Sequence, residues 1–206
     1  MKGYRITRDK FMAKAEAKRL LDSCRVLAKR QQKQGRRIWV QRYMLTHIAL
    51  SSGLRVSEIA GLKVGDLFLG DKESYLVVRK GKGGKKRDVY LDKRLAAHLK
   101  DYLRLKENTW EEPTDPGSPF FAGRGGGHYT TTALHISFKK VLALLGLDKG
   151  YSIHSARHTY ATMLLAKTNN LRFVQKQLGH ASLSMTAQYA DVLPELNQAL
   201  ANALLD

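Results

Sequence analysis

Near the end of the chain, His154 and Arg157 stand three residues apart, His180 follows a Leu178-Gly179 break, and Tyr189 comes nine residues later. Together with Arg55 and a cluster of lysines far upstream, these residue types make a set for handling a phosphate. A phosphodiester gains charge on its equatorial oxygens as it is attacked. Two fixed guanidiniums match those oxygens bidentately, which a lysine ammonium cannot. Preorganised donors at such a centre are usually the largest catalytic term. A tyrosine hydroxyl ordinarily titrates near ~10, so it needs an acceptor and a positive field to attack near neutrality. The alkoxide that departs is a poor leaving group, and a lysine on a mobile hairpin suits a general acid. Such chemistry requires no metal and no cofactor, and religation from a phosphotyrosine needs no ATP.

Taken singly, each residue has a plainer reading. Nine tyrosines are present, so one of them near the C-terminus is unremarkable. His180 after a helix-ending glycine could satisfy helix-end carbonyls. His154 alone reads as a core histidine, and spacing alone also allows Arg55 to be an ordinary surface arginine. His158 lies four residues from His154, half of a zinc pattern, but without Glu or Cys companions in range a metal site is not expected. Only the joint pattern favours chemistry.

The elements that must hold these residues follow from periodicity. Apolar positions recurring at three and four predict helices from Ala13 to about Arg30 and from about Arg37 to Ser51. The second is apolar nearly all round its later half and is expected to be central and buried. Gly53 ends it, and Ser57-Glu58 opens a short third helix, so Arg55 sits at a junction. Leu67 to Leu69, Ser74 to Arg79 and Arg87 to Leu91 read as strands. Lys80-Gly81-Lys82-Gly83-Gly84-Lys85-Lys86 forms a basic turn between the last two; it lacks the Gly-Lys-Ser/Thr of a P-loop. A helix follows from Asp92 to about Lys106, then an acidic loop over Glu107 to Gly117, which is a poor candidate for contact with a polyanion. Pro119-Phe120-Phe121 suggests a short buried strand. Thr130–Thr132 caps a helix ending at Gly146. Further helices are expected from His154 to about Ala166, Leu171 to Leu178, Ser182 to Asp191 carrying Tyr189, and Glu195 to Leu205.

Composition points the same way. Thirty-six Lys and Arg against 18 Asp and Glu leave a formal charge of +18. The excess is localised: residues 1–40 hold 13 basic and 3 acidic side chains, and six of the nine residues Arg79–Arg87 are basic. A field of this size attracts polyanions and points to nucleic acid. No run approaches the ~18 apolar residues of a membrane span. The charged start, Met1-Lys2-Gly3-Tyr4-Arg5, has no apolar stretch behind it and does not read as a signal peptide. The lone Cys24 cannot form an internal disulfide, which fits a reducing cytoplasm.

Gly53-Leu54-Arg55 with Ser57, Glu58, Leu62 and Asp66, then His154-Ser155-Ala156-Arg157-His158-Thr159-Tyr160-Ala161-Thr162, then Leu178-Gly179-His180-Ala181-Ser182 with Thr186 and Tyr189, form three boxes in order. On these residues the chain resembles the catalytic domain of the tyrosine recombinase (phage integrase) family, from about residue 10 to 193. Ala156 departs from the family's usual leucine. The resemblance implies a mainly α fold with a small antiparallel β-sheet. It implies that Tyr189 is the nucleophile of a 3′-phosphotyrosyl intermediate, that Arg55 and Arg157 hold the non-bridging oxygens, and that His180 adds a hydrogen bond. His154 would help with proton transfer at the tyrosine. Lys82 would protonate the 5′-oxygen, with Lys80 and Lys85 as competitors. Lys80, Lys85, Lys86 and Arg87 are expected phosphate contacts.

Three segments are expected: a loose basic arm over 1–10, the catalytic domain over 11–193, and a C-terminal helix over 194–206 that docks on a neighbouring protomer. The family's usual N-terminal helical domain is not accounted for, so the chain reads as a short form or a fragment. The implied function is site-specific recombination of double-stranded DNA by a tetramer on paired sites, with accessory DNA-bending proteins and no cofactor, in a cytoplasmic, nucleoid-associated setting of a prokaryote, phage or plasmid. Relaxation of the type IB topoisomerase kind and a non-cutting DNA-binding regulator or decayed integrase are the alternatives.

Overall fold

The computed structural model describes residues 6–193 apart from positions 80, 82, 83, 85 and 124. The hub is α2 (Ile38–Ser52), whose second half buries Met44, Leu45, Thr46, Ile48, Ala49, Leu50 and Ser52. Side chains buried on every side require neighbours on every side. They are α1 (Lys14–Gln32), α4 (Lys93–Asn108), α5 (Thr131–Leu142) and α6 (Ile153–Thr168). Two polar side chains inside this core are satisfied locally: Thr46 donates to the Arg42 carbonyl at 2.8 Å and Ser52 to the Ile48 carbonyl at 2.6 Å.

Gly53 ends α2 in the left-handed region at φ 65°. A Cβ there would lie 2.5 Å from the Tyr160 ring and 2.9 Å from a Leu178 methyl, so only glycine lets the end of α2 approach α6 and α7 (Leu171–Leu178) this closely. The short α3 (Val56–Ala60) starts straight after Arg55. Three antiparallel strands follow, β1 (Leu67–Leu69), β2 (Ser74–Val78) and β3 (Arg87–Tyr90), in the order β1-β2-β3. Leu76 faces Leu67 on one side and Val89 on the other; Leu76 and Val89 belong to the main core and Leu67 packs against it. On the opposite face Phe68 stacks on Tyr75 at 4.8 Å between centroids. The outer strand β3 packs against α7, which brings the β2–β3 hairpin to the C-terminal half of the chain.

α4 is capped by Asp92, whose carboxylate accepts from the Arg94 and Leu95 amides. It runs to Asn108, slightly beyond the expected end. Lys106 is fully buried within it and pairs with Glu112 at 2.6 Å, while Glu112 also takes Arg37 at 2.7 Å. The acidic loop therefore folds back on the body through Glu112. Phe120 and Phe121 are buried as expected, but no strand forms there. Their segment makes an isolated bridge at Lys63–Pro119, and the Phe120 amide donates to the Leu62 carbonyl at 2.8 Å. Pro119 has no amide to continue a ladder.

The second half builds a smaller core from Ile6, Phe11, Ala161, Leu165, Val174, Leu178 and Tyr189. Ile6 and Phe11 are part of it, so this segment is not a loose arm, and the Met12 amide donates to Thr159 Oγ1 at 2.9 Å. The helix expected over Ser182 to Asp191 is regular only in α8 (Ser184–Ala187). Beyond it the Tyr189 and Ala190 amides donate three residues back, to Thr186 and Ala187, in a tighter winding. Tyr189 thus lies on a turn whose side chain is drawn into the small core. The expected C-terminal helix over 194–206 lies outside the described residues. No helix among the described residues is long and apolar enough to cross a membrane.

Candidate active site

The site forms where the ends of several elements meet. Arg157, on the second turn of α6, is 7% exposed. Its guanidinium donates to the Gly53 carbonyl and, at 2.8 Å, to the Leu178 carbonyl. One cation therefore holds the C-terminal carbonyls of both α2 and α7, the ends where helix dipoles favour positive charge. Burial, and then the neighbouring Arg55, lower the Arg157 pKa to about 10, which still leaves it charged at neutrality.

Arg55 is fixed by Glu58. The carboxylate accepts the Arg55 amide at 2.8 Å and the Arg55 side chain at 2.9 Å. Glu58 also takes both terminal nitrogens of Arg87, at 2.9 and 2.8 Å. Arg87 in turn donates through Nε to the Gln177 carbonyl at 3.1 Å. Burial pushes the Glu58 pKa up, but Arg87 and Arg55 more than offset this and hold it below the usual carboxylate value. The carboxylate is a clamp between two guanidiniums from α3's start and β3. Gly179 (φ 64°) is the other half of that contact: a Cβ there would lie 2.8 Å from Arg87 Cδ.

His180 follows Gly179. Its Nδ1 is 3.0 Å from Thr186 Oγ1, and its ring lies parallel to that of Tyr189 at 6.2 Å between centroids. Burial, then Arg157, Arg55 and Arg87, lower its pKa to about 4, so the imidazole is neutral near pH 7. Tyr189 is 1% exposed, and its hydroxyl is 3.0 Å from His158 Nδ1. His154 is exposed at the start of α6, with its ring 5.4 Å from that of His135. Burial, then His135 and Arg157, lower its pKa.

Five of the expected residues, Arg55, His154, Arg157, His180 and Tyr189, are thus carried by the ends of α2, α6 and α7 and the turn after α8. The hairpin lysines Lys80, Lys82 and Lys85 lie outside the described residues. Lys86 is exposed beside the start of β3. Arg87, expected at a phosphate, has its guanidinium committed to Glu58 and Gln177. Two residues gained roles that sequence reasoning did not assign. Glu58 carried a signal, being three residues from Arg55 on a helix start. His158 carried only its adjacency to Arg157 and its spacing of four from His154, because its partner Tyr189 is 31 residues away.

The Phage integrase family model matches residues 10–195. The chain belongs to the phage integrase family. Among the curated relatives of this integrase domain, the tyrosine recombinase XerC of Bradyrhizobium diazoefficiens is 32% identical over 180 residues, covering 86% of this chain and 53% of the relative. XerC of Methylobacterium nodulans is 34% identical over 141 residues, 68% of this chain and 42% of the relative. The integrase domain spans about half the length of the curated relatives it matches. Its fold is similar to that of the XerH site-specific recombinase bound to a palindromic difH substrate in a post-cleavage complex, with a TM-score of 0.74 and 27% identity over 94% of this chain and 52% of that one. It is also similar to the XerA recombinase, with a TM-score of 0.74 and 25% identity over 97% and 65%.

Proposed function

We propose that this domain cuts and rejoins double-stranded DNA at specific sites through a covalent bond between Tyr189 and a 3′-phosphate. The observation that carries the reading is that Arg55 and Arg157 lie near one another and near His180, whose ring is parallel to that of Tyr189, with Arg157 buried and held by two backbone carbonyls. A phosphodiester entering this site would meet two guanidiniums already fixed in place, so little reorganisation is needed as charge develops. The phenolic oxygen attacks phosphorus, the bond to the 5′-oxygen breaks, and Lys82 on the β2–β3 turn supplies that oxygen's proton. The phosphate–tyrosine ester conserves the bond, and a 5′-hydroxyl from the same or another strand reverses the step. Lys86 and the lysines of the same turn contact neighbouring phosphates, a contribution that weakens with salt. His154, exposed at the start of α6, helps with proton transfer at the tyrosine.

Exchange between two duplexes needs more than one copy of the site. In this reading four chains assemble on paired DNA sites, with residues 194–206 of one docking on the next and DNA-bending proteins assisting. The sequence supports this through the apolar series Leu196, Ala199, Leu200, Ala203 and Leu204. The test is a plasmid with two directly repeated target sites beside one with a single site. Recombination is expected to yield two smaller circles from the first and none with Tyr189→Phe. Relaxation of the single-site plasmid without exchange on the two-site plasmid would instead favour the topoisomerase-like activity.

A further inference from the structure

The nucleophile's proton has a more direct acceptor than the residue assigned by resemblance. Tyr189 Oη is 3.0 Å from His158 Nδ1, and the two rings are tilted at 46° with centroids 5.9 Å apart. His158 is presented on the turn of α6 that also carries Arg157, so acceptor and phosphate-holding cation share one rigid element. His154 sits one turn earlier, exposed, with its ring beside His135. We propose that His158 is a catalytic base, taking the phenolic proton of Tyr189 as that oxygen attacks phosphorus. The proposal rests on the cleavage reading above.

The step balances. The Nε2–H tautomer of His158 leaves a lone pair on Nδ1 facing the phenol. As the Oη–P bond forms, the proton passes to Nδ1 and the P–O5′ bond breaks. The 5′-oxygen takes its proton from the general acid, Lys82 in this reading. In religation a 5′-hydroxyl attacks phosphorus and gives its proton back to Lys82, the P–Oη bond breaks, and the His158 imidazolium returns its proton to Tyr189.

The surroundings suit this role. His158 is faced by Arg157 and His154 on its own helix, by Lys10 from the N-terminal turn, and by His180 and Tyr189 from the C-terminal segment. Burial, then Arg157, His154 and Lys10, lower its pKa to about 4, so the ring is neutral and able to accept near pH 7. A phosphodiester anion bound at Arg55 and Arg157 would add negative charge nearby. That would raise the imidazole's basicity toward the value at which a base works best.

The test is single-turnover cleavage of a nicked duplex bearing a site at which the full chain forms its covalent adduct, followed from about pH 5 to about pH 9. His158→Asn places an amide oxygen near the Nδ1 position but cannot take the proton. It is expected to bind the duplex as the wild type does and to cleave about 100-fold more slowly at neutral pH. Its rate should rise about tenfold per pH unit where the wild-type rate has levelled, and added imidazole should restore part of it. A variant profile parallel to the wild type and insensitive to imidazole would reduce His158 to a positioning residue and overturn the proposal. An unchanged rate would overturn it as well. Nitrogen-15 spectra of the histidines in the wild-type protein test it without any variant: the Nε2–H tautomer is expected at His158, and an Nδ1–H tautomer donating to the phenol would contradict it. If the wild type forms no adduct on DNA it demonstrably binds, the cleavage reading fails and this inference fails with it. If the wild type forms the adduct and His158→Asn behaves identically, only this inference fails.

Discussion

Glu58 is the residue on which the geometry of both outer arginines depends. Its side chain is 4% exposed and accepts from Arg55 and from both terminal nitrogens of Arg87. Glu58→Gln would leave two guanidiniums facing a neutral amide. We expect a loss of about 3 kcal/mol in stability by urea unfolding, since removing one partner strands a buried charge. In the proposed reading cleavage is expected to fall about 100-fold, because a displaced Arg55 would misplace the phosphate. A stability within about 0.5 kcal/mol of the wild type would show that the clamp carries no weight. At this scale the candidate site was legible only as a joint pattern, in the types and order of Arg55, His154, Arg157, His180 and Tyr189. The clamp was half legible, because Glu58 is local to Arg55 but Arg87 arrives from 29 residues away. The lysine of the turn was not, because Gly81, Gly83 and Gly84 leave its register undetermined by sequence.

The helix ends, more than the helices, build the site. Gly53 and Gly179 both adopt positive φ and both touch side chains that bring distant segments together, Tyr160 in one case and Arg87 in the other. Gly146 also has positive φ, but nothing lies within 4 Å of its missing Cβ. Gly53→Ala is therefore expected to combine left-handed strain with overpacking, about 3 kcal/mol together, while Gly146→Ala costs about 1 kcal/mol. Urea unfolding of the two variants side by side checks this, and equal losses would contradict it. Elements governed by local pattern were readable in advance: α7 and β1 have the expected bounds, and α2 was identifiable as buried because apolar residues surround it. Elements governed by tertiary contact were not. The Phe120–Phe121 segment satisfies its backbone through Leu62, and the turn after α8 tightens around a tyrosine whose side chain is buried between other helices. Neither cause leaves a trace in the residues concerned.

Across the described residues, several half-buried histidines have lowered pKa values. His47 and His98 join α2 to α4 with their Nδ1 atoms 2.9 Å apart, and Tyr43 packs on both rings. Burial, then His47, lower the His98 pKa to about 3, and His158 and His180 stand at about 4. Each folded pKa lies below the unfolded value of ~6.5, so below that pH the unfolded chain binds more protons than the folded one. Stability is expected to be complete above about pH 6.5 and to fall as pH drops toward 4, with His98 alone contributing a loss on the order of 3 kcal/mol. Urea unfolding at a series of pH values should give a shallower slope for His98→Phe, and an unchanged slope would contradict the assignment. In the proposed reading Tyr189, 1% exposed, is the nucleophile, and its hydroxyl already lies 3.0 Å from His158 Nδ1. The measurement that tests this most directly is covalent trapping on a nicked duplex that carries the target site and loses the cleaved strand. The wild type is expected to give a denaturation-resistant protein–DNA band in which Tyr189 carries the 3′-phosphate, and Tyr189→Phe is expected to bind the same DNA and give none. A band that persists in Tyr189→Phe, or no band from wild type bound to that duplex, would contradict the account.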